Sequence, residues 1–301
     1  MSTTLGKDAV CRRLCCKLLC PLAFCLALTS HAMGGRRPQA RLQGYDVLAV
    51  SGQTIELKAK VEAIGIAFFT PDLSGETVEF WYQDTLIGTS ISAGEGMARL
   101  QIRASQAGDH IVSVRLSSES AYVAAPSQLL VAVRESDIPA IVTDIDHTIA
   151  DVTGLEFLVL QNDQVPTVQG SETVLATLKD TYLIIYVTAR DDTFTDKTKA
   201  WLKLRNFPQG PTYFWNFDLH GGTPLSHEAY KSGVIRRLKA TFPRILVGVG
   251  DKNTDAVSYL SNGLRAYSVR GGPEDPAFPE DTIFVHDWYE MEDHLVRHPL
   301  F

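Results

Sequence analysis

The first part of the chain alternates apolar and polar residues with a period of two. The alternation runs from about residue 45 to residue 135, and residues 54–61, TIELKAKV, show it most clearly. Because successive side chains of a strand point to opposite faces, this period predicts β-strands with one buried face. Similar runs recur at residues 77–82, 98–103, 110–116 and 128–133, with turn-forming residues between them. The pattern predicts an antiparallel β-sandwich of roughly seven strands.

After residue 136 the pattern changes to short apolar runs that alternate with amphipathic segments. The apolar runs predict strands at residues 140–143, 182–187, 212–215, 245–249 and 265–269. Apolar side chains three or four positions apart predict helices at residues 171–179, 194–205 and 230–242. Alternating strands and helices are typical of βαβ units around a parallel sheet. The chain is therefore expected to hold an all-β domain over residues 45–135 and an α/β domain over residues 136–301.

The amino-terminal segment has a pattern of its own. Basic residues precede an apolar run over residues 18–28, and small residues follow it up to Ala32. The run is shorter than the roughly 20 residues of a membrane span. The pattern therefore predicts a signal peptide over residues 1–32 and an exported protein, either periplasmic or secreted. An anchor that stays uncleaved is the alternative, and residues 33–44 are expected to form a flexible leader.

Composition and net charge argue against several classes of function. The 301 residues include 28 Lys and Arg against 35 Asp and Glu, a formal net charge of −7. This balance argues against a nucleic-acid partner, because neutralising phosphates needs a basic surface. All five cysteines lie within the first 25 residues, which excludes a disulfide scaffold and a thiolate metal site in the folded part. An acidic chain can still bind phosphate groups through a divalent cation.

Two carboxylates follow directly after the first strand of the predicted parallel sheet. Residues 140–143 run into Asp144 and Asp146, with Thr148 beyond them. Ligands of open α/β sheets bind at the carboxyl ends of the strands, so two acidic groups at this edge can hold a hard divalent cation. An acidic loop that caps the next helix is the structural alternative.

Three further elements carry candidate residues in the same order as the strands. Thr188 follows the strand of residues 182–187, Lys231 lies at the start of a helix, and Asp251 and Asp255 follow the strand of residues 245–249. Taken singly, each has a structural explanation, such as a helix cap, a solvated lysine or acids favoured by a helix dipole. Taken together and in this order, they indicate a catalytic site.

These motifs resemble the four-part pattern of the haloacid dehalogenase superfamily over residues 138–270. The shared pattern is Asp-x-Asp-x-Thr, a strand-end Thr, a Lys and Gly-Asp-x-x-x-Asp. The resemblance implies a doubly wound parallel sheet and a phosphatase. It assigns Asp144 as the nucleophile that forms an aspartyl-phosphate and Asp146 as the general acid and base. It implies that Thr188 forms a hydrogen bond with the transferring phosphoryl group and that Lys231 balances the charge on that group and on Asp144.

The same resemblance implies Mg²⁺ as the cofactor. The metal ligands it implies are Asp144, the backbone carbonyl of Asp146, and Asp251, with Asp255 as a supporting residue or a further ligand. An acidic residue at the position of Asp146 is typical of the phosphatase branch of the superfamily. The partner of this site is therefore expected to be a phosphorylated substrate.

Within the superfamily the chain resembles lipin-type and actin-patch phosphatidate phosphatases. The resemblance is carried by residues 144–149 (DIDHTI), 186–190 (YVTAR) and 207–211 (FPQGP), among others. It implies a phospholipid substrate such as phosphatidate, a role in lipid metabolism and peripheral membrane contact. The β-rich segment resembles the bacterial immunoglobulin-like domains of exported proteins.

The spacing of the motifs bears on the size of the substrate. About 40 residues separate Asp146 from Thr188, too few for a large cap over the site. An uncovered site suits a bulky substrate such as a lipid headgroup at a bilayer. Two alternatives stay open, namely a phosphomonoesterase for soluble or protein-bound phosphate, and a lipid- or partner-binding module without turnover.

Overall fold

A computed structural model of the protein describes residues 37–65, 70–216, 227–270, 272 and 277–300. The predicted signal peptide over residues 1–32 lies outside these described residues. Among the helices that the structure describes, none is both long enough and apolar enough to span a membrane.

The amino-terminal half is a β-sandwich, and its described part holds eight strands. The strands are β1 (Ala40–Tyr45), β2 (Val47–Ala49), β3 (Thr54–Ala63), β4 (Thr77–Tyr82), β5 (Thr85–Ile91), β6 (Met97–Arg103), β7 (Gly108–Leu116) and β8 (Ser127–Val133). One sheet has the order β1-β3-β6 and the other β2-β8-β7-β4-β5. The alternation along β3 buries Leu57, Ala59 and Val61 against Val78 and Phe80 of the facing sheet. The predicted sandwich is confirmed, but it is not purely antiparallel, because β2 pairs parallel with β8.

The predicted flexible leader over residues 33–44 is wrong for its last five residues. Residues 40–45 form β1, which pairs antiparallel with β3 from Ala40 opposite Ala63 to Tyr45 opposite Lys58. The strand is stable because Leu42 is buried in the sandwich core and Arg41 forms an ion pair with Glu62 at 2.7 Å. The arginines of residues 33–44 are the reason why a polar, flexible segment was predicted.

The carboxyl-terminal half is an α/β domain with one parallel sheet. Its strands are β9 (Ala140–Thr143), β10 (Leu183–Asp191), β11 (Thr212–Trp215), β12 (Ile245–Gly250), β13 (Arg265–Ser268) and β14 (Ile283–Phe284). All pairs are parallel, in the order β11-β10-β9-β12-β13-β14. The first strand of this domain, β9, thus lies inside the sheet. The predicted doubly wound arrangement is confirmed.

Helices cover both faces of this sheet. The described helices are α1 (Gly154–Val159), α2 (Ser171–Leu178), α3 (Thr195–Leu204), α4 (His227–Lys239), α5 (Asn253–Leu260) and α6 (Trp288–Arg297). Ile141 faces the core formed with α1, α2, α3 and α6, whereas Val142 faces the core formed with α4 and α5. Because β9 is buried on both sides, its sequence is continuously apolar.

The two halves share part of their hydrophobic core. Leu48, Leu130 and Ala132 of the sandwich belong to the same cluster of buried residues as Val142 and Ile185 of the parallel sheet. The described residues from Arg37 onward accordingly belong to one compact unit.

Close packing of α5 on β12 sets the position of the helix that carries Asp255. A Cβ atom at Gly248 would lie 2.1 Å from the ring of Tyr259, whose hydroxyl donates to the carbonyl oxygen of Val249 at 3.0 Å. We expect Gly248→Ala to lower the free energy of unfolding by about 1–3 kcal/mol, because the buried ring must shift. Urea unfolding measures this loss. Gly94→Ala, where the added carbon meets nothing within 4 Å, is the control, and an equal loss there would contradict the packing argument.

Candidate functional site

The predicted site residues lie at the carboxyl ends of adjacent strands. Asp144 follows β9, Thr188 lies in β10 and Asp251 follows β12, and β9 pairs with both β10 and β12. The backbone N–H of Asp144 donates to the carbonyl oxygen of Val249 at 3.0 Å, which continues the ladder past the end of β9. Strand pairing therefore brings Asp144 and Asp251 to the same place.

Three carboxylates and one ammonium group form a buried cluster. Asp144, Asp251 and Asp255 each contribute an oxygen, and these oxygens lie within 4.8 Å of one another. The Lys231 Nζ lies 2.9 Å from Asp144 Oδ2 and also donates to Asp255 Oδ1. Four of the six predicted site residues are thus in direct proximity.

Lys231 remains charged although its side chain is buried. Burial lowers the pKa of this ammonium group, but the charges of Asp144 and Asp255 and their hydrogen bonds raise it more, so that the pKa lies above its ordinary value. The lysine comes from α4, whose neighbouring residues Tyr230 and Val234 pack in the core beneath the sheet. The helix therefore holds the ammonium group at a fixed place in the cluster.

Asp255 is held by the protein through both of its carboxylate oxygens. Its Oδ1 accepts from Lys231, and its Oδ2 accepts from the backbone N–H of Lys252 at 3.3 Å. It approaches β12 so closely that a Cβ atom at Gly250 would lie 2.5 Å from the Cβ of Asp255. This contact explains why the residue before Asp251 is a glycine.

The remaining oxygens of the cluster fit a divalent cation. Asp144 Oδ1 and Asp251 Oδ1 are buried and accept no hydrogen bond within the described residues. Burying an unpaired carboxylate oxygen is costly, and such hard oxygen donors are the ligands that Mg²⁺ prefers. The residues present therefore suit a cation held by Asp144 and Asp251, with Asp255 orienting Lys231.

Asp146 is not part of this cluster and binds an arginine that the sequence analysis did not select. Arg190 Nη2 lies 2.8 Å from Asp146 Oδ1 and Arg190 Nε lies 3.0 Å from Oδ2, a two-pronged ion pair. The guanidinium also lies over the ring of Phe157, 3.7 Å from its centroid, and donates to Thr198 Oγ1 at 3.1 Å. These contacts fix the direction of the Asp146 carboxylate.

Thr188 is linked to Asp146 through the same arginine. Its side chain is fully buried, and its Oγ1 accepts from the backbone N–H of Arg190 at 3.2 Å. Its contact with a phosphoryl group stays a prediction. The position of Arg190, two residues after Thr188 at the same strand end, was the signal that could have identified it.

The cluster makes Asp251 unusually basic. Burial, together with the charges of Asp144 and Asp255, raises the pKa of Asp251 to about 7, and Lys252 and Lys231 oppose this only in part. Below about pH 7 the metal-free site therefore carries a proton on Asp251, which a bound cation would displace.

This raised pKa predicts a pH dependence of stability. Between pH 3.8, the ordinary value, and about 7, the folded metal-free protein binds more protons at Asp251 than the unfolded chain does. Its free energy of unfolding should therefore fall as the pH rises through this window. We expect Asp251→Asn to remove that fall, leaving the variant more stable than the native protein at pH 8 by roughly 1–3 kcal/mol, discounted for the partial exposure of Asp251.

Thermal unfolding in EDTA across this pH range measures the difference. The exposed Asp180→Asn is the control, and it should follow the native profile. If Asp251→Asn and Asp180→Asn showed the same dependence of stability on pH, the raised pKa of Asp251 would be contradicted.

Comparison with known proteins bears on the α/β half. Residues 141–269 match the family model of the LNS2 domain of PITM 1-3. No curated protein sequence matches the chain. The LNS2 match spans all six predicted site residues, from Asp144 to Asp255.

Several solved structures resemble parts of the protein. One is the D,D-heptose 1,7-bisphosphate phosphatase of B. bronchiseptica complexed with magnesium and phosphate, with 16% identity and a TM-score of 0.41, over 53% of this chain and 98% of that one. Another is the Pnkp1/Rnl/Hen1 RNA repair complex, with 15% identity and a TM-score of 0.40, over 46% and 45% of the two chains. A third is the fibronectin(III)-like modules of Clostridium thermocellum CbhA, with 15% identity and a TM-score of 0.23, over 31% and 95%.

Proposed function

We propose that the protein is a Mg²⁺-dependent phosphatase that hydrolyses phosphomonoesters with Asp144 as its nucleophile. The observation that best supports this proposal is the environment of Asp144. Its Oδ2 binds the Lys231 ammonium group at 2.9 Å, while its Oδ1 is buried without a hydrogen-bond partner beside Asp251. A nucleophilic carboxylate needs nearby positive charge to offset the incoming phosphoryl group, and here the Lys231 ammonium lies at Oδ2 while the proposed cation would bind at Oδ1. The LNS2 match over the same residues supports the proposal.

The reaction would proceed in two displacements. The Asp144 carboxylate attacks phosphorus, the bond from phosphorus to the ester oxygen breaks, and Asp146 gives its proton to the leaving oxygen. Water then attacks the aspartyl-phosphate while Asp146 takes a proton from it. Inorganic phosphate leaves, and the Asp144 carboxylate is restored.

Other residues would stabilise the phosphoryl group as its charge changes. A Mg²⁺ ion held by Asp144, Asp251 and the backbone carbonyl of Asp146 would supply charge neutralisation at the phosphoryl oxygens. Lys231 offsets the charge of Asp144 from the other side. Thr188 would donate a hydrogen bond from its hydroxyl to a phosphoryl oxygen.

The nucleophile assignment predicts that Asp144→Asn abolishes turnover. We expect phosphate release to fall by at least about 10³-fold, because an amide cannot form the aspartyl-phosphate. Phosphate release from a soluble aryl phosphate and from phosphatidate in mixed micelles, with Mg²⁺ and with EDTA, measures the effect. Asp180→Asn is the matched exposed control. Undiminished hydrolysis by Asp144→Asn would refute the assignment, and release from neither ester by the native protein would favour the binding-module alternative.

We further propose a phospholipid such as phosphatidate, reached at a bilayer, as the substrate. The supporting observation is the surface of α1 beside the site. A Cβ atom at Gly154 would lie 3.9 Å from Asp146 Oδ2, so α1 borders the acid group directly. Leu155 and Val159 on this helix are 74% and 72% exposed, whereas Phe157 is buried beneath Arg190. Apolar side chains at the mouth of the site could enter the surface of a membrane.

A charge at these positions should separate lipid from soluble substrates. We expect Leu155→Glu combined with Val159→Glu to lower activity on phosphatidate vesicles by at least about tenfold. The reason is that the double variant loses the free energy of burying two apolar side chains in lipid. Activity on the aryl phosphate should stay within about twofold, since exposed substitutions seldom disturb a fold. The control is Val296→Glu on α6, which is 75% exposed. Equal loss on both substrates would count against membrane contact and favour the soluble-ester alternative.

A further inference from the structure

We propose that Arg41 and Tyr45 of the sandwich are positioning residues for the candidate active site. Both bind Asp192, and Asp192 immediately follows the strand end that carries Thr188 and Arg190. The sandwich would thus act on turnover without touching the substrate. The effect on turnover rests on the proposed phosphatase function, whereas the structural coupling does not.

Asp192 is bound from two sides. The Tyr45 hydroxyl donates to Asp192 Oδ2 at 2.5 Å, and Arg41 Nη2 donates to the backbone oxygen of Asp192 at 2.6 Å. From the parallel sheet, Asn216 Nδ2 donates to the same Oδ2 at 2.6 Å. Only 2% of Asp192 is exposed, so these bonds are made away from water and hold the residue strongly.

The strand end next to Asp192 needs this support. The pairing of β10 with β11 is regular up to Thr188 opposite Phe214 and then shifts register before Asp191. The ladder alone therefore does not hold Arg190, which lies within the irregular part. Since Arg190 directs the Asp146 carboxylate through two hydrogen bonds, a displacement of Asp192 would be transmitted to Asp146.

Arg41 is itself fixed by a buried charge network of the sandwich. Its Nη1 donates to Glu62 Oε2 at 2.7 Å, and Glu62 Oε1 lies 3.1 Å from the ammonium of Lys60. Lys60, only 1% exposed, also lies 3.1 Å from Asp72. The network is continuous from Asp72 to Asp192, so the guanidinium group of Arg41 is held in one orientation.

A separate contact holds the two halves together. Asp46 Oδ1 accepts from the backbone N–H of Leu130 in the sandwich at 2.8 Å and from Lys199 of α3 at 2.5 Å. Its Oδ2 accepts from the backbone N–H of Thr212 in β11 at 3.0 Å. Removing the Tyr45 hydroxyl or the Arg41 charge should therefore leave the sandwich docked and loosen only the strand end.

The test compares Tyr45→Phe and Arg41→Gln with the native chain. We expect kcat for phosphate release to fall by about tenfold or more while KM stays within about twofold, because Asp146 acts on the leaving oxygen in the transition state. Arg41→Lys keeps the charge and should recover part of kcat. The control is Arg99→Gln, which breaks the exposed ion pair of the same sandwich with Glu56 and should leave kcat unchanged.

Hydrogen exchange of the same proteins, followed by mass spectrometry, gives a readout that needs no activity. Exchange should accelerate at residues 188–194 in Tyr45→Phe and Arg41→Gln, and stay at the native rate elsewhere and throughout Arg99→Gln. Unchanged exchange at residues 188–194, or a fall in kcat that follows a general loss of Tm, would overturn the proposal. If the native protein hydrolyses neither ester, the phosphatase proposal fails while the exchange result still decides whether Arg41 and Tyr45 hold this segment.

Discussion

The ammonium group of Lys231 is the charge on which the candidate site depends. Asp144, Asp251 and Asp255 converge in a mostly buried place, where desolvation and mutual repulsion oppose three ionised carboxylates. Lys231 binds two of them, so α4 and α5 are tied to the end of β9 by charge as well as by apolar packing. The unpaired oxygens of Asp144 and Asp251 leave a remaining negative charge, which a divalent cation would balance.

The site consists of two parts that different elements support. The nucleophile part, named for the role proposed for Asp144, is formed by the ends of β9 and β12 with α4 and α5, and it holds Asp144 with Lys231. The acid part, named for the role proposed for Asp146, is formed by the end of β10 with α1, where Arg190 lies over Phe157 and pairs with Asp146. The sandwich contacts the chain next to the acid part through Asp192. Under the proposed function, a β-domain at this place would affect Asp146, the group that must be aimed accurately during proton transfer.

Particular residues show which features could be predicted. The bounds of β9 and β11 are those expected from the apolar runs at residues 140–143 and 212–215, because the mostly buried strands of a parallel sheet carry continuous apolar sequences. The approach of Asp251 to Asp144 was also predictable, since both follow parallel strands. The strand β1 was not predicted, because only its pairing with β3 and the partner of Arg41 explain why an arginine-bearing segment is ordered.

By itself, the sequence determined the two-part architecture, the sheet edge at which the acidic residues meet and the identity of the six candidate residues. These follow from periodicity and chain order, which are local properties. Only the tertiary structure decided that Asp146 pairs with Arg190, that Asp255 is occupied by Lys231 and Lys252, and that Asp192 is bound by Arg41 and Tyr45. The partner of a charged side chain depends on which groups folding brings within about 3 Å and away from water, and residues 147 positions apart are not related by any local pattern.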